Sequence, residues 1–237
     1  MSNQARRERG RKLRRLVSKL ESAFGRRRRR RRPDPLETIL LAILADGVAD
    51  ERAVPVLENL RRTMVDWNEL RVSSVRETEE MLSGLPEPAL KAGLIRSFLQ
   101  RVFAERHAIE TEFMKRWSGG KARSYLDEIE GMTGSMKARA LLKGFETDLL
   151  PMTTDIIRVL KRVGILESHL TPDKAEEAVS EILAPKRIYA FFHLVNEHAV
   201  STCLVRTPNC QTCVVRMECT KFATDPKGSD GEKSEGE

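Results

Sequence analysis

Apolar residues recur at three- and four-residue intervals along most of the chain. Leu13, Leu16 or Val17, Leu20 and Phe24, with arginine and lysine between them, predict a basic amphipathic helix over 4–24. The same periodicity predicts helices over 36–46, 50–63, 76–83, 87–107, 109–117, 121–128, 135–145 and 155–163. Gly47, Gly84, Pro86, the Gly119-Gly120 pair and Gly131 punctuate them, and Gly164 closes the last. Thr171-Pro172-Asp173 places a capping hydroxyl before a proline at the first helical position, so a further helix opens there. One more, over about 186–200, delivers the chain to Cys203. No stretch alternates as a half-buried strand would, and no repeat is visible. The fold class expected is all-α.

Composition agrees: of 237 residues 40% are hydrophobic but only 5% aromatic, and Leu, Ala, Glu, Lys and Arg favour helix. No apolar run approaches the roughly 18–20 residues of a membrane-spanning helix. The N-terminus has no apolar signal-peptide core. A protein without membrane association is expected, cytoplasmic, and nucleoid-associated if the source is bacterial or archaeal. The formal charge is +7, unevenly placed: residues 1–32 hold 15 Lys/Arg against two acids, net +13, so the remainder sums to −6. The seven arginines from Arg26 to Arg32 point to a polyanion, most simply nucleic acid. The tail from about Ala223 is Gly, Ser and charge, net −3 over 225–237, and is expected to be disordered.

All four cysteines fall within 17 residues, Cys203, Cys210, Cys213 and Cys219, spaced C-x6-C-x2-C-x5-C. Four thiolates converging from one short loop suit a four-iron–four-sulfur (4Fe-4S) cluster. The alternatives are structural zinc, which more often uses two separated C-x2-C pairs, and disulfides, which need an oxidising compartment. This spacing, closing a helical chain, resembles the endonuclease III family of base-excision DNA glycosylases. Arg206 and Pro208 stand where that family's loop often has a basic residue and a proline. The resemblance implies a structural cluster that shapes a loop against the DNA backbone, with Arg206 and Arg216 as its basic side chains.

Upstream, Leu126 to Ala138 looks like a helix-hairpin-helix. Two helices meet at a glycine turn, Gly131-Met132-Thr133-Gly134, whose amides and second-helix N-terminus would face a phosphate. The DNA-binding residues expected are Gly131, Thr133, Gly134 and Ser135, with charge from Lys137 and Arg139. Leu36 to Leu44, Asp66 to Leu70, Lys91 with Ile95, and Arg158-Val159 followed by Gly164 also fall where the family has similar residues. The resemblance therefore covers about 12–220. It implies two helical domains flanking a DNA-binding cleft: a six-helix barrel over 33–147, and a cluster domain over 148–222 against which the 1–32 segment packs. The 223–237 tail lies beyond both. Double-stranded DNA bound by a monomer is the partner implied.

The catalytic pattern departs from the family's. The carboxylate that stabilises the oxocarbenium-like charge stands five residues before Arg-Val, and here that position is Thr153. Asp155 is two residues away, about 200° round a helix. It would serve as a displaced carboxylate only if the helix began later, and otherwise favours the helix start. The lysine that bifunctional members use to attack the sugar is replaced by Ser135, so AP-lyase activity is not expected. The polar turn after the first barrel helix reads Ala45-Asp46-Gly47-Val48, with an acid that would repel phosphate. His193 and His198 are expected at a packing seam or beside the cluster, and Trp67 and Trp117 in packing. Two functions compete: a DNA-binding scaffold without the usual chemistry, and a monofunctional DNA glycosylase working through Asp155.

Overall fold

The computed structural model describes residues 3–28, 33–48, 50–145 and 147–224. Arg29 to Arg32 of the arginine block, and the acidic tail from 225, lie outside the described residues. All regular structure among the described residues is helical, and none of those helices is long and apolar enough to cross a membrane. The chain divides into two compact units, one of residues 29–151 and one of 1–28 with 152–237.

The 29–151 unit is built on α2 (Pro35–Leu44), which is buried on nearly every face. Only Glu37, which pairs with Arg61 at 3.5 Å, is charged along it, so it becomes the central helix around which the others wrap. The Asp34 carboxylate caps it, accepting from Leu36 N at 2.9 Å, and also accepts from the Thr111 hydroxyl at 3.1 Å. Around it run α3 (Asp50–Thr63), α4 (Trp67–Val72), α5 (Val75–Met81), α6 (Pro88–Arg106), α7 (Gly119–Asp127) and α8 (Gly134–Gly144). Leu36, Ile39, Leu40 and Ile43 meet Ile95, Phe98 and Leu141 in one core. The α2–α8 crossing is close: a Cβ on Gly144 would come within 3.1 Å of Thr38 Cγ2.

Two elements differ from the periodicity. The expected helix over 76–83 is α5, preceded by the separate short α4, which Asp66 caps through Glu69 N at 2.9 Å. The expected helix over 109–117 is only a 3-10 turn, Glu112–Arg116. His107, at φ 56°, has already ended α6, and too few residues remain before Ser118 caps α7. Trp117 packs against Phe113 and Tyr125 with ring centroids 5.3 and 4.8 Å apart.

In the other unit, α1 (Asn3–Phe24) buries Leu13, Leu16, Val17 and Leu20 against α11 (Ile188–Ser201). Each is at most 3% exposed and contributes roughly 1.5–3 kcal/mol on burial. α9 (Thr154–Val163), α10 (Pro172–Ser180) and α12 (Thr220–Thr224) complete this unit. α9 has the sharpest apolar stripe, Ile156, Val159, Leu160 and Val163, and ends on Gly164 at φ 79°. Ala223 and Thr224, expected in the tail, belong to α12.

Candidate functional site

Cys203 follows directly from α11: its amide donates to His198 O at 2.8 Å, continuing the helical turn past Ser201. Asn209 N donates to Thr202 O at 2.8 Å, which folds the six-residue spacer back on itself. Two 3-10 turns, Cys210–Thr212 and Arg216–Glu218, then swing Cys213 and Cys219 inward. The result is one pocket lined by all four cysteines, floored by Val163 and Val215 and walled by Phe222. All four are free thiols and half-buried. Among the described residues no group of three or more His, Cys, Asp or Glu is gathered tightly enough to hold a single metal ion.

Two arginines one turn apart on α9 fasten this loop. Arg158 donates to Cys203 O at 3.0 Å and Ala199 O at 3.1 Å. Arg162 donates to Val205 O at 2.6 Å and to Leu204 O, and its Nη1 lies 3.6 Å from Cys203 Sγ. Cys219 Sγ lies 3.3 Å from Arg162 O. Burial pushes the Cys213 thiol up to about 11 and raises Cys210, to which neighbouring cysteines add. His198, 1% exposed, approaches Cys213 Sγ with Nε2 at 3.8 Å. Burial, helped by the Arg158 charge, pushes it down to about 4, so it stands as neutral imidazole. His193 is not among the residues lining the cysteine pocket; its ring packs at a tilt against Tyr189, with centroids 4.4 Å apart. Arg206 and Arg216 are both exposed on the loop, and Arg216 donates to Gln211 O at 2.6 Å.

At the start of α9, Thr153 is the N-cap, its hydroxyl accepting from Ile156 N at 3.2 Å. Asp155 is in the first helical turn and pairs with Arg158, both side chains largely buried. Its carboxylate is thus held by the arginine that also grips the cysteine loop.

The hairpin places Gly131 at φ 83° between α7 and α8, with Gly131, Thr133 and Gly134 exposed and Ser135 partly so. Thr133 caps α8, its hydroxyl accepting from Met136 N at 3.2 Å. The first-turn amides beyond it are donors of the kind that meet anions. Lys137 remains at the surface, paired with Asp127 at 2.9 Å. Arg139 does not: only 3% of its side chain is exposed, and its guanidinium pairs with Asp50. The expectation that it adds surface charge for DNA is corrected, because it lies on the core side of α8. Asp50 also pairs with Lys143, whose ammonium burial pushes below its usual range.

The turn after α2 is likewise not a bare acidic surface. Lys91, 1% exposed, donates to Leu44 O at 3.1 Å and Asp46 O at 2.7 Å, satisfying the end of α2. The Asp46 carboxylate accepts from the Thr133 hydroxyl at 3.4 Å, and burial raises it above the usual carboxylate range. The roles of Lys91, Asp50, Arg158 and Arg162 were not read from the sequence. Their one visible signal was charged residues within amphipathic helices, where an unpaired buried charge would be costly.

No protein-family model matches the chain. Endonuclease III from Sulfolobus acidocaldarius is 25% identical over 193 residues, covering 80% of this chain and 83% of that protein. DEMETER-like protein 2 and the DNA glycosylase/AP lyase ROS1, both from Arabidopsis thaliana, are 25% and 23% identical over 187 and 188 residues. Those matches cover 70% and 71% of this chain but 14% of each plant protein, so the chain spans about a seventh of their length. Among solved structures, a trapped endonuclease III–DNA covalent intermediate aligns with a TM-score of 0.73 at 15% identity, covering 91% of this chain and 97% of that one.

Proposed function

We propose, for a chain that has the endonuclease III fold and resembles the endonuclease III family along most of its length, that it binds duplex DNA on this scaffold without the family's usual base-removal chemistry. The observation that carries the reading is the start of α9. Thr153 holds the position where the resemblance puts the carboxylate, and its hydroxyl is already used as the helix cap. The neighbouring carboxylate, Asp155, is committed to Arg158. Freeing it would strip a largely buried arginine of its counter-ion, a cost of several kcal/mol for such pairs. Ser135 supplies no amine for attack on the sugar. The exposed hairpin supports binding that grips the backbone and reads no sequence.

The donor set supports a 4Fe-4S cluster on Cys203, Cys210, Cys213 and Cys219. These are four free thiols on one pocket, and a neutral His198 adds no competing charge. Such a cluster, when bound, cross-links the loop through thiolate bonds and takes up the negative charge that burial alone disfavours. Arg158 and Arg162 orient the loop from behind, through carbonyls on the first cysteine and the two residues after it. Cys213→Ser is expected to lose bound iron and the visible thiolate-to-iron absorbance; full iron retention would remove the ligand assignment.

The functional test is single-turnover base release from duplexes carrying oxidised pyrimidines, uracil or 8-oxoguanine mispairs, and strand cleavage at abasic sites, with iron-loaded protein, beside binding to undamaged duplex. Binding without release on any substrate is expected. The second reading, a monofunctional DNA glycosylase, rests on Asp155 being a carboxylate within the first turn of α9. Release that disappears in Asp155→Asn would establish it and overturn the first.

A further inference from the structure

The cations of α1 fall into two sets. Arg6 donates to Glu181 O at 2.8 Å, Arg9 pairs with Glu167, Lys12 donates to the Thr220 hydroxyl at 3.0 Å, Lys19 reaches Glu218 at 3.9 Å, and Arg27, just past the helix, pairs with Glu197. These fasten α1 to its own unit. Arg7, Arg11, Arg14 and Arg15 are exposed, and among the described residues none of the four has an ion-pair partner. Their spacing of four, three and four residues puts Arg11 beside each of the other three on one face of the helix. Like charges so placed destabilise a helix, and they outnumber the acids within reach: Glu181 pairs with Arg6, and Glu218 lies 3.9 Å from Lys19. Glu8 alone remains exposed nearby.

The stripe does not end at the helix. Arg7, Arg11 and Arg14 line a solvent groove with Glu181 and Ile182 beyond α10. Arg11 and Arg15 line a second with Glu8 and Lys12 of the helix and Met217 and Glu218 of the cysteine loop. Met217 is 79% exposed. Residues 7 to 15 rise about 12 Å along the helix, a length over which duplex DNA presents roughly seven phosphate charges.

We infer that the Arg7–Arg11–Arg14–Arg15 face of α1 is a phosphate-tracking surface for the backbone of duplex DNA, continuous with the cysteine loop. It rests on the proposal that the chain binds DNA, and deepens it by giving the scaffold a second grip. Guanidinium groups in excess of the acids beside them take phosphate oxygens in bidentate fashion, independent of base sequence. This face lies within α1 itself, whereas Arg26, Arg27 and Arg28 follow the end of the helix.

The test is fluorescence anisotropy of the full iron-loaded chain with an undamaged 30-base-pair duplex across a salt series, comparing wild type with R7Q/R11Q/R14Q/R15Q. All four side chains are exposed, and circular dichroism verifies that the variant keeps its helix content. Four phosphate contacts contribute about 3.6 to the slope of log affinity against log salt, so wild type should lose about 150-fold more affinity than the variant between roughly 50 and 200 mM salt. Wild-type binding with an unchanged slope in the variant overturns this surface alone and leaves DNA binding standing. No binding of the duplex by wild type at low salt overturns both. Tighter arginine-dependent binding to phosphatidylserine vesicles than to duplex overturns the assignment in favour of a lipid surface.

Discussion

Replacing Thr153 separates its structural work from its chemical position. The hydroxyl caps α9 by accepting from Ile156 N at 3.2 Å, and that amide is buried. A lost cap costs about 1 kcal/mol at an ordinary helix end. An orphaned buried donor costs about 1–3 kcal/mol. Thr153→Ala is therefore expected to destabilise by about 2 kcal/mol. Thr153→Asp keeps an acceptor at the cap and adds a charge that the helix N-terminus favours by about 0.3–1 kcal/mol. Desolvation works against it, since Thr153 is only 9% exposed. The net change is expected within about 1 kcal/mol of wild type. In urea, with a slope of about 3 kcal/mol/M, the alanine variant's midpoint falls by about 0.7 M while the aspartate variant's moves by less than half of that. An alanine variant indistinguishable from wild type, or an aspartate variant that falls with it, would refute the capping argument. If Thr153→Asp also releases a base that wild type leaves in place, the missing carboxylate is what silenced the chemistry.

Gly164→Ala should cost more than its left-handed strain, because the added Cβ would meet the Thr220 hydroxyl at 2.2 Å and break its 3.0 Å bond to Val163 O. About 2–4 kcal/mol is expected by denaturation, and the penalty should shrink towards about 1 kcal/mol in a Thr220→Ala background, where the 2.2 Å contact is gone and only the 3.1 Å approaches to the residue-220 Cβ and Lys12 Nζ remain. Asp50→Asn removes the carboxylate shared by Arg139 and Lys143, and should lower stability by about 3 kcal/mol in a denaturant titration. Asp46 gives a pH signature. Its folded pKa is raised by burial, so between 3.8 and that value the folded chain binds more protons than the unfolded one, and stability falls as pH rises through the window. Asp46→Asn should flatten that part of the stability–pH curve, and an unaltered curve would mean the carboxylate is not desolvated.

Much of this protein was legible in its sequence because the relevant physics is local. Helical periodicity located α1, α3, α6, α8 and α9 to within a residue or two, since an amphipathic stripe must face a core wherever that core lies. The four cysteines pointed to one site because the 17-residue span leaves little freedom to part them. Thr153-Thr154-Asp155 read as a helix start, though which of the three caps was not decided by type, as all are competent.

Tertiary structure decided the rest. Arg139 looked like a surface charge beside a DNA-facing hairpin, but the rotation of α8 against α2 turned it inward to Asp50. Asp46 looked like a bare acid, yet Lys91, 45 residues away in the chain, holds its carbonyl. Asp155 was free to be a carboxylate in search of a substrate until Arg158, reaching the carbonyl of Cys203, fixed it in a pair. In each case the sequence specified that a charge was present. Only the fold determined which counter-charge it met, because burial makes pairing obligatory while composition leaves the partner open.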